Sequence, residues 1–131
     1  KKINCLILNK EELYSLSSIR NIKKSIKKII NQNPDINVIV SNADKKTYGY
    51  DITNFISCKP PKIKAMNENG AGDIMTGTYI YYKSKKYKMS SALSLAVAAG
   101  TLYAKSKVTK INLNYNLIKK INKNIIYKSE K

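Results

Sequence analysis

The fold is decided by seven consecutive residues between a predicted strand and a predicted helix, Asn67-Glu68-Asn69-Gly70-Ala71-Gly72-Asp73. The first N–H groups of a helix have no partner inside the helix, and the helix dipole makes this end electropositive. Glycine residues let the backbone approach an anion closely. The stretch therefore predicts an anion-binding turn suited to a phosphoryl group. Asp73 would lie beside it as a general base for an attacking hydroxyl.

An ordinary strand-to-helix turn is the competing interpretation of the same residues. Gly70 would then supply a positive φ, and Asp73 would cap the N-terminus of the helix. The turn is not a Walker A loop, because the chain contains no G-x-x-x-x-G-K-[ST] pattern. The four residues Gly70 to Asp73 alone leave both interpretations open, so the rest of the sequence has to decide between them.

The bulk composition is that of one folded domain over residues 1–131. Hydrophobic residues make up 43% of the chain, which is enough for a core. No apolar run reaches the roughly 18 residues that a membrane helix needs, and residues 1–5 do not open a signal peptide. We expect a cytoplasmic protein that has no membrane partner.

The cysteine and histidine content excludes several kinds of site. The chain has two cysteines, Cys5 and Cys58, and no histidine. A zinc site and a Ser-His or Cys-His catalytic pair therefore lack the residues they need. We expect both thiols to be free in a reducing compartment, although two cysteines leave a disulfide open.

The net charge of +17 suggests nucleic acid at first sight. All basic residues except Arg20 are lysines, however, and they are spread along the whole chain. Lys, Asn, Ile and Tyr have A/T-rich codons, so genome composition explains their abundance without a ligand. We interpret the charge as a solvated background and keep a basic nucleic-acid-binding domain as the less favoured alternative.

The hydrophobic pattern of the first 60 residues alternates strand and helix. Buried strands are predicted over residues 3–8 and 36–41, with a short helical turn opening after Asn9. An amphipathic helix lies between the strands and is capped by Ser17 or Ser18. This β-α-β order favours a parallel sheet. The remaining predicted elements are a hairpin of residues 47–51 and 54–58, a short strand over 63–66, a helix from Asp73, a small-residue helix capped by Ser90 or Ser91, and a weak helix over 117–125 whose lysine-rich end frays.

Three further stretches agree with the glycine turn in their order and spacing. They are an N-x-x-E motif at Asn9-Lys10-Glu11-Glu12, the strand end Val40-Ser41-Asn42-Ala43, and a small-residue helix from Ser91 to Gly100. Together with the turn they resemble the ribokinase-like, or pfkB-type, carbohydrate kinase family. The signature of that family is a D-T-x-G-A-G-D turn followed by a helix and then a small-residue helix. The resemblance covers residues 3–116.

The resemblance implies a fold and a set of roles. The fold would be part of a three-layer α/β ribokinase-like domain with a parallel sheet, a small β-hairpin and flanking helices. The cofactors would be ATP and Mg²⁺, and the last long helix would flank the adenine. The implied roles are a catalytic base at Asp73, an anion hole at Gly70, Ala71 and Gly72, nucleotide contacts from Ser41, Asn69, Gly70 and Gly72, and Mg²⁺ and phosphate placement by Asn9 and Glu12.

Simpler interpretations stand beside three of these roles. Glu12 also suits a carboxylate in the first turn of a helix, and Ser41 suits a strand-end hydroxyl that caps a turn. The small residues of the last long helix suit a packing face equally well.

Several positions depart from the family pattern. Asn67 stands in the place of the usual Asp, Glu68 and Asn69 replace Thr-like residues, and Ala43 replaces a glycine. Glu68 adds negative charge near a phosphate site, which would weaken nucleotide binding. Pseudouridine kinases of the family resemble this chain in having Asn at the first position, and also in the stretch from Tyr103 to Ser106 that leads into residues 109–113. A pseudouridine kinase is therefore the preferred subfamily.

The length of the chain departs from the family as well. Family members carry a preceding half that supplies the sugar pocket and a β-sheet lid. We therefore expect a sugar or nucleoside substrate, and as partner either the missing N-terminal kinase half or a second copy of the chain. The alternative is an inactive or split-enzyme fragment that acts only as a partner subunit.

Overall fold

The computed structural model of the protein describes residues 3–107 and 113–130. Its ten elements are β1 (Cys5–Asn9), α1 (Lys10–Ser17), α2 (Ile22–Gln32), β2 (Asn37–Ser41), β3 (Thr47–Tyr50), β4 (Phe55–Lys59), α3 (Ala71–Ser84), α4 (Met89–Lys105), α5 (Tyr115–Asn122) and β5 (Ile126–Ser129). Within these two ranges no helix is long and apolar enough to cross a membrane. Of the stretch 109–113, only Leu113 belongs to the described residues.

The five strands form one sheet in the order β1-β2-β3-β4-β5. Strands β1 and β2 are parallel, with Asn9 beside Ser41 at their carboxyl ends, as the predicted β-α-β unit requires. All the other pairs are antiparallel. The predicted hairpin is confirmed as β3 and β4, and it extends the main sheet instead of forming a separate one. The sheet is therefore mixed and only partly parallel.

Helices cover both faces of the sheet, which confirms the three-layer α/β fold. Strand side chains alternate between faces, so Val38 and Val40 face α1 and α2 while Ile39 between them faces α3 and α4. On α2 the residues Ile22, Ile26, Ile29 and Ile30 point to the sheet at helical spacing. The opposite core is built largely from α4, whose residues from Ala92 to Thr101, apart from Ser94, are buried.

The sequence predicted a serine cap for α2 and another for α4, and both predictions are wrong. Asn21 caps α2, because its side-chain oxygen accepts the N–H of Lys24 at 3.0 Å. Ser17 is buried in the last turn of α1, and its hydroxyl donates to that of Ser25 at 2.8 Å. Helix α4 begins at Met89 without a side-chain cap, so Ser90 and Ser91 lie inside it. Serine suits a cap and a buried hydrogen bond equally well, and tertiary contacts decide between them.

Two further predictions are also wrong, namely a strand over residues 63–66 and a frayed C-terminal end. Residues 63–66 form no strand, because the N–H of Met66 bonds to the carbonyl of Ala104 at the end of α4. The lysine-rich C-terminus does not fray in its described part, since it forms β5 along β4. Tertiary hydrogen bonds determine both outcomes, and the local sequence pattern does not encode them.

Both cysteines are free, as expected. Cys58 lies fully buried in β4, where burial raises the pKa of its thiol to about 12. Such a thiol remains protonated at neutral pH and acts as a small apolar core residue.

The carboxylate of Glu130 connects the end of β5 to the sheet and to α2 by a hydrogen bond and ion pairs. It accepts the hydroxyl of Ser57 at 2.7 Å and lies 3.2 Å from the ammonium of Lys23 and 3.3 Å from that of Lys46. The hydrogen bond from Ser57, followed by those from the two lysines, lowers the pKa of Glu130 to about 2, although burial acts to raise it. The folded chain therefore prefers the ionised carboxylate.

We expect Glu130→Gln to lower the free energy of unfolding at pH 7 by about 1.5–3 kcal/mol, the usual range for hydrogen bonds to a charged group. Because the pKa of Glu130 is lowered on folding, its contribution is complete above its unfolded pKa and is lost as pH falls toward 2. Urea titrations between pH 7 and pH 3 measure both effects. The matched control is Glu11→Gln, which removes an exposed ion pair with Lys10 and should change little. Equal stability of the two variants at pH 7 would contradict this role of Glu130.

Candidate active site

The glycine turn leads directly into α3, whose first residue is Ala71. Gly70 precedes the helix at φ +92°, in the left-handed region that favours glycine. A Cβ at Gly70 would also lie 3.2 Å from the hydroxyl of Tyr103, whereas one at Gly72 would meet nothing within 4 Å. Gly72 is exposed. The first turn of α3 is thus open to a ligand, as an anion site requires.

Asp73 lies exposed in the first turn of α3. It is not the cap that the ordinary-turn interpretation requires, because the N-cap residue is Gly70 and no side chain bonds to the cap position. Within the described part of the chain, the Asp73 carboxylate makes no hydrogen bond or ion pair. The carboxylate is therefore accessible and can accept a proton from a ligand hydroxyl.

A close approach between α3 and α4 fixes the position of the turn. A Cβ at Gly100 would lie 3.0 Å from the carbonyl oxygen of Ala71 and 3.4 Å from the Cβ of Met75. The absence of a side chain at Gly100 lets the first turn of α3 rest directly on α4. The small-residue helix thus packs closely on a neighbour, here the helix that carries the turn.

A cleft of about 710 Å³ lies in front of the turn. It brings together Ser41 from the end of β2 and Ala71 and Gly72 from the turn. Asn69, Gly70 and Asp73 belong to the same turn but do not line the cleft. One wall belongs to α4, through Val97, Gly100, Thr101 and Ala104, so the helix expected to flank the adenine does border the cleft. The hydroxyl of Thr101 donates to the carbonyl of Val97 at 2.7 Å, which leaves this wall mainly apolar.

Sequence reasoning missed a second wall of the cleft. Pro60, Pro61 and Lys62 follow β4 and also line the cleft, and Asp44 and Glu68 add two carboxylates. In the sequence the proline pair indicated only a break in the strand pattern. Its position directly after a buried strand was the signal that could have placed it at the cleft. Glu68 was noted only as a departure from the family pattern, and the structure places it in the cleft.

Asn9 and Glu12 form a reciprocal capping box at the start of α1. The side-chain oxygen of Asn9 accepts the N–H of Glu12 at 2.9 Å, and Oε2 of Glu12 accepts the N–H of Asn9 at 2.8 Å. This arrangement satisfies two backbone donors and explains both residues as helix-start residues. Neither residue lines the cleft, but Asn9 pairs with Ser41 across β1 and β2, so the box lies at the same end of the sheet.

The capping box leaves one oxygen of Glu12 available for a metal. Oε1 of Glu12 makes no hydrogen bond within the described ranges. The same ranges contain no group of three or more acidic, cysteine or histidine side chains that could enclose a cation. Mg²⁺ is commonly held by one or two carboxylates together with waters and substrate phosphates. Within these ranges Glu12 could therefore offer one oxygen to a Mg²⁺ ion that arrives with a nucleotide, and the described residues do not form a cage of protein ligands.

Residues 1–114 match the family described as pfkB family carbohydrate kinase. This chain belongs to that family. ATP-dependent 6-phosphofructokinase isozyme 2 of Escherichia coli (strain K12) is 26% identical over 111 residues, which are 85% of this chain and 34% of that protein. This chain thus spans about a third of the length of that curated relative.

Solved structures agree with the mixed sheet and its flanking helices. Phosphofructokinase-2 from Escherichia coli in complex with substrates and products superposes with a TM-score of 0.83 at 23% identity, over 94% of this chain and 41% of that one. The same enzyme in complex with potassium gives 0.82 at 25% identity, with the same coverage. These matches establish a ribokinase-like fold, of which this chain represents about two fifths.

We expect Gly100→Ala to destabilise the chain by about 1–3 kcal/mol, as overpacking usually does. The new Cβ must push Ala71 away, so affinity for Mg·ATP should fall as well. Gly77→Ala is the matched control on α3, since a Cβ there meets nothing within 4 Å. This control should raise stability by roughly 0.5–1 kcal/mol. Thermal melts measure the stability, and calorimetric titrations measure the affinity for Mg·ATP. A Gly100→Ala variant that is destabilised but binds Mg·ATP as wild type does would show that the contact does not control the site.

Proposed function

We propose that this chain carries the phosphoryl-transfer end of an ATP-dependent kinase that phosphorylates a hydroxyl of a sugar or nucleoside. The observation that supports this most directly is the open first turn of α3, where Gly72 faces the cleft and the Asp73 carboxylate is accessible beside it. A catalytic base next to an anion site is what phosphoryl transfer requires.

In the proposed reaction the Asp73 carboxylate accepts the proton of the acceptor hydroxyl. The acceptor oxygen forms a bond to the γ-phosphorus of ATP, the bond from that phosphorus to the β–γ bridging oxygen breaks, and ADP leaves with the bonding electrons. Backbone N–H groups of Gly70, Ala71 and Gly72 stabilise the charge on the transferring group. These donors are held by α3 and its contact with α4, so they need little rearrangement during the reaction.

Each cofactor would use a different part of the site. ATP would lie in the cleft with its base along the α4 wall and its phosphates toward Ser41, Asn69 and the turn. Glu12 would hold Mg²⁺ through its second carboxylate oxygen, Oε1. The reciprocal hydrogen bonds with Asn9 would keep the Glu12 side chain in place. Mg²⁺ would supply positive charge that offsets the phosphates and the two carboxylates of the cleft.

The acceptor hydroxyl belongs to a sugar or a nucleoside, and pseudouridine remains the preferred nucleoside. This preference rests on Asn67 and on the stretch from Tyr103 to Ser106. In the structure, however, the side-chain amide of Asn67 donates to the carbonyl of Ser106 at 2.6 Å. These residues thus bond to each other and support the turn, so they say less about the acceptor than the sequence suggested. The phosphofructokinase relatives favour a sugar phosphate as the competing acceptor.

We expect Asp73→Asn to lower kcat by about 10²–10⁴, the usual contribution of a general base. Affinity for Mg·ATP should stay unchanged, because the anion turn is intact. Turnover is measured with the N-terminal portion of the kinase fold supplied, in the same polypeptide or as a separate chain. Asp35→Asn, at an exposed site between α2 and β2, is the charge-matched control. Wild-type turnover by Asp73→Asn would remove Asp73 as the base.

A partner that completes the fold would pair with the open side of β1. Strand β1 has a single strand neighbour within the described residues, the parallel strand β2. Parallel strands are usually covered on both sides of the sheet and continued by further strands. An exposed strand edge also invites pairing with another chain. We propose the remaining part of the kinase fold as the partner, with a second copy of this chain as the alternative.

The alternative function is that of an inactive partner subunit, which the two cleft carboxylates favour. We expect the isolated chain to bind Mg·ATP and to gain stability by RT ln(1 + [L]/Kd), about 2.7 kcal/mol at a ligand concentration of 100 Kd. A thermal shift titration measures this gain, with Mg²⁺ and inorganic phosphate as the control. No shift up to millimolar Mg·ATP would favour the inactive subunit.

A further inference from the structure

The segment before the glycine turn is attached to the C-terminal end of α4. The carbonyl of Ala104 accepts the N–H of Met66 at 2.7 Å and that of Asn67 at 3.1 Å. The carbonyl of Ser106 accepts the side-chain amide of Asn67 at 2.6 Å. The last carbonyls of a helix have no partner inside it, so this segment supplies hydrogen bonds that α4 itself lacks.

The turn touches α4 at two further places. Tyr103 packs on Gly70, and Gly100 lies against Ala71. The same helix lines the cleft through Val97 and Thr101. One helix therefore holds the turn and borders the proposed nucleotide cleft, so any change in how the segment attaches to α4 moves the anion donors relative to the cleft.

We propose that Asn67 is a positioning residue, whose side-chain N–H, donated to the Ser106 carbonyl, sets the place of the anion turn relative to the nucleotide cleft. This inference rests on the proposed function, because it assumes that the turn binds the phosphates of ATP. Asn67 is half-buried and precedes the turn by three residues, so it acts on the ligand through the backbone of Gly70 to Gly72.

The chemistry of the bond explains why an amide is needed here. Ser106 offers a carbonyl oxygen, which only a donor can satisfy. An ionised Asp, the usual residue of the family pattern at this position, is an acceptor on both oxygens. A carboxylate facing this carbonyl would need a proton or a cation between the two oxygens. The amide of Asn67 makes the bond directly.

The test compares Mg·ATP affinity of wild type, Asn67→Ala and Asn67→Asp by calorimetry at pH 8 and pH 4.5. Each titration runs well below the melting temperature of the variant. Tetramethylammonium is the only monovalent cation, because an alkali cation could bridge two oxygens. We expect both variants to bind about tenfold more weakly than wild type at pH 8, a factor within the usual net contribution of a hydrogen bond.

The pH dependence separates positioning from charge repulsion. At pH 4.5 a part of the carboxyl groups introduced by Asn67→Asp is protonated and can donate to the Ser106 carbonyl, so the ratio of the Kd of this variant to that of wild type should shrink. The corresponding ratio for Asn67→Ala should not change. Wild-type affinity in either variant at pH 8 would overturn the inference, and so would a ratio for Asn67→Asp that stays constant with pH. Wild type that fails to bind Mg·ATP would overturn the proposed function together with this inference.

A measurement on the wild-type chain keeps the inference testable if the variants do not fold. The backbone amides of Met66 and Asn67 should be protected from hydrogen exchange by their bonds to Ala104. Their protection should rise when Mg·ATP binds, since the ligand stabilises the attached turn. Exchange of both amides as fast as in an exposed loop would overturn the attachment itself.

Discussion

The direct contact of Gly100 with the carbonyl of Ala71 is the constraint on which the site depends. Any larger residue at position 100 would separate α4 from the first turn of α3, because a Cβ there lies only 3.0 Å from the Ala71 oxygen. Helix α4 is also the main component of one core, with its middle turns almost fully buried. Protein cores are close-packed and resist deformation. The glycine turn thus inherits its rigidity from the core, although its own residues are largely exposed.

The sheet brings the second part of the site, at the carboxyl ends of β1 and β2, to the cleft beside the glycine turn. Because β1 and β2 are parallel and in register, their carboxyl ends place Asn9 beside Ser41. Ligands of open α/β sheets bind in the crevice outside these carboxyl ends, and the cleft lies there. Sequence reasoning could find this part of the site, since the residues after two predicted parallel strands must meet at one edge. It could not find Lys62 and Asp44, because irregular segments with no periodic pattern place them in the cleft.

The fold was predictable where local chemistry decides and not where distant partners decide. The strand pair, the hairpin and the amphipathic α2 follow from alternation and helical spacing within short windows. Ser17 illustrates the opposite case, because a buried hydrogen bond to Ser25 removes it from the capping role that Asn21 takes. Strand β5 was missed for a similar reason. Its four residues are all exposed, and it forms because β4 offers an edge and Ser57, Lys23 and Lys46 hold Glu130.

The charge of the whole chain and the charge of the described cleft lining have opposite signs. The chain carries +17, yet among the described residues the ionisable side chains that line the cleft are one cation, Lys62, and two anions, Asp44 and Glu68. At physiological ionic strength, charges more than about 8 Å apart are largely screened, so under the proposed function the dispersed lysines would not hold the phosphates of a nucleotide. At contact range those phosphates would meet Asp44 and Glu68, and attraction would have to come from backbone N–H groups and from a bound cation. Both sources depend on geometry more than on net charge, so the proposed phosphate binding would depend on the attachment of the turn to α4 more than on the lysine content.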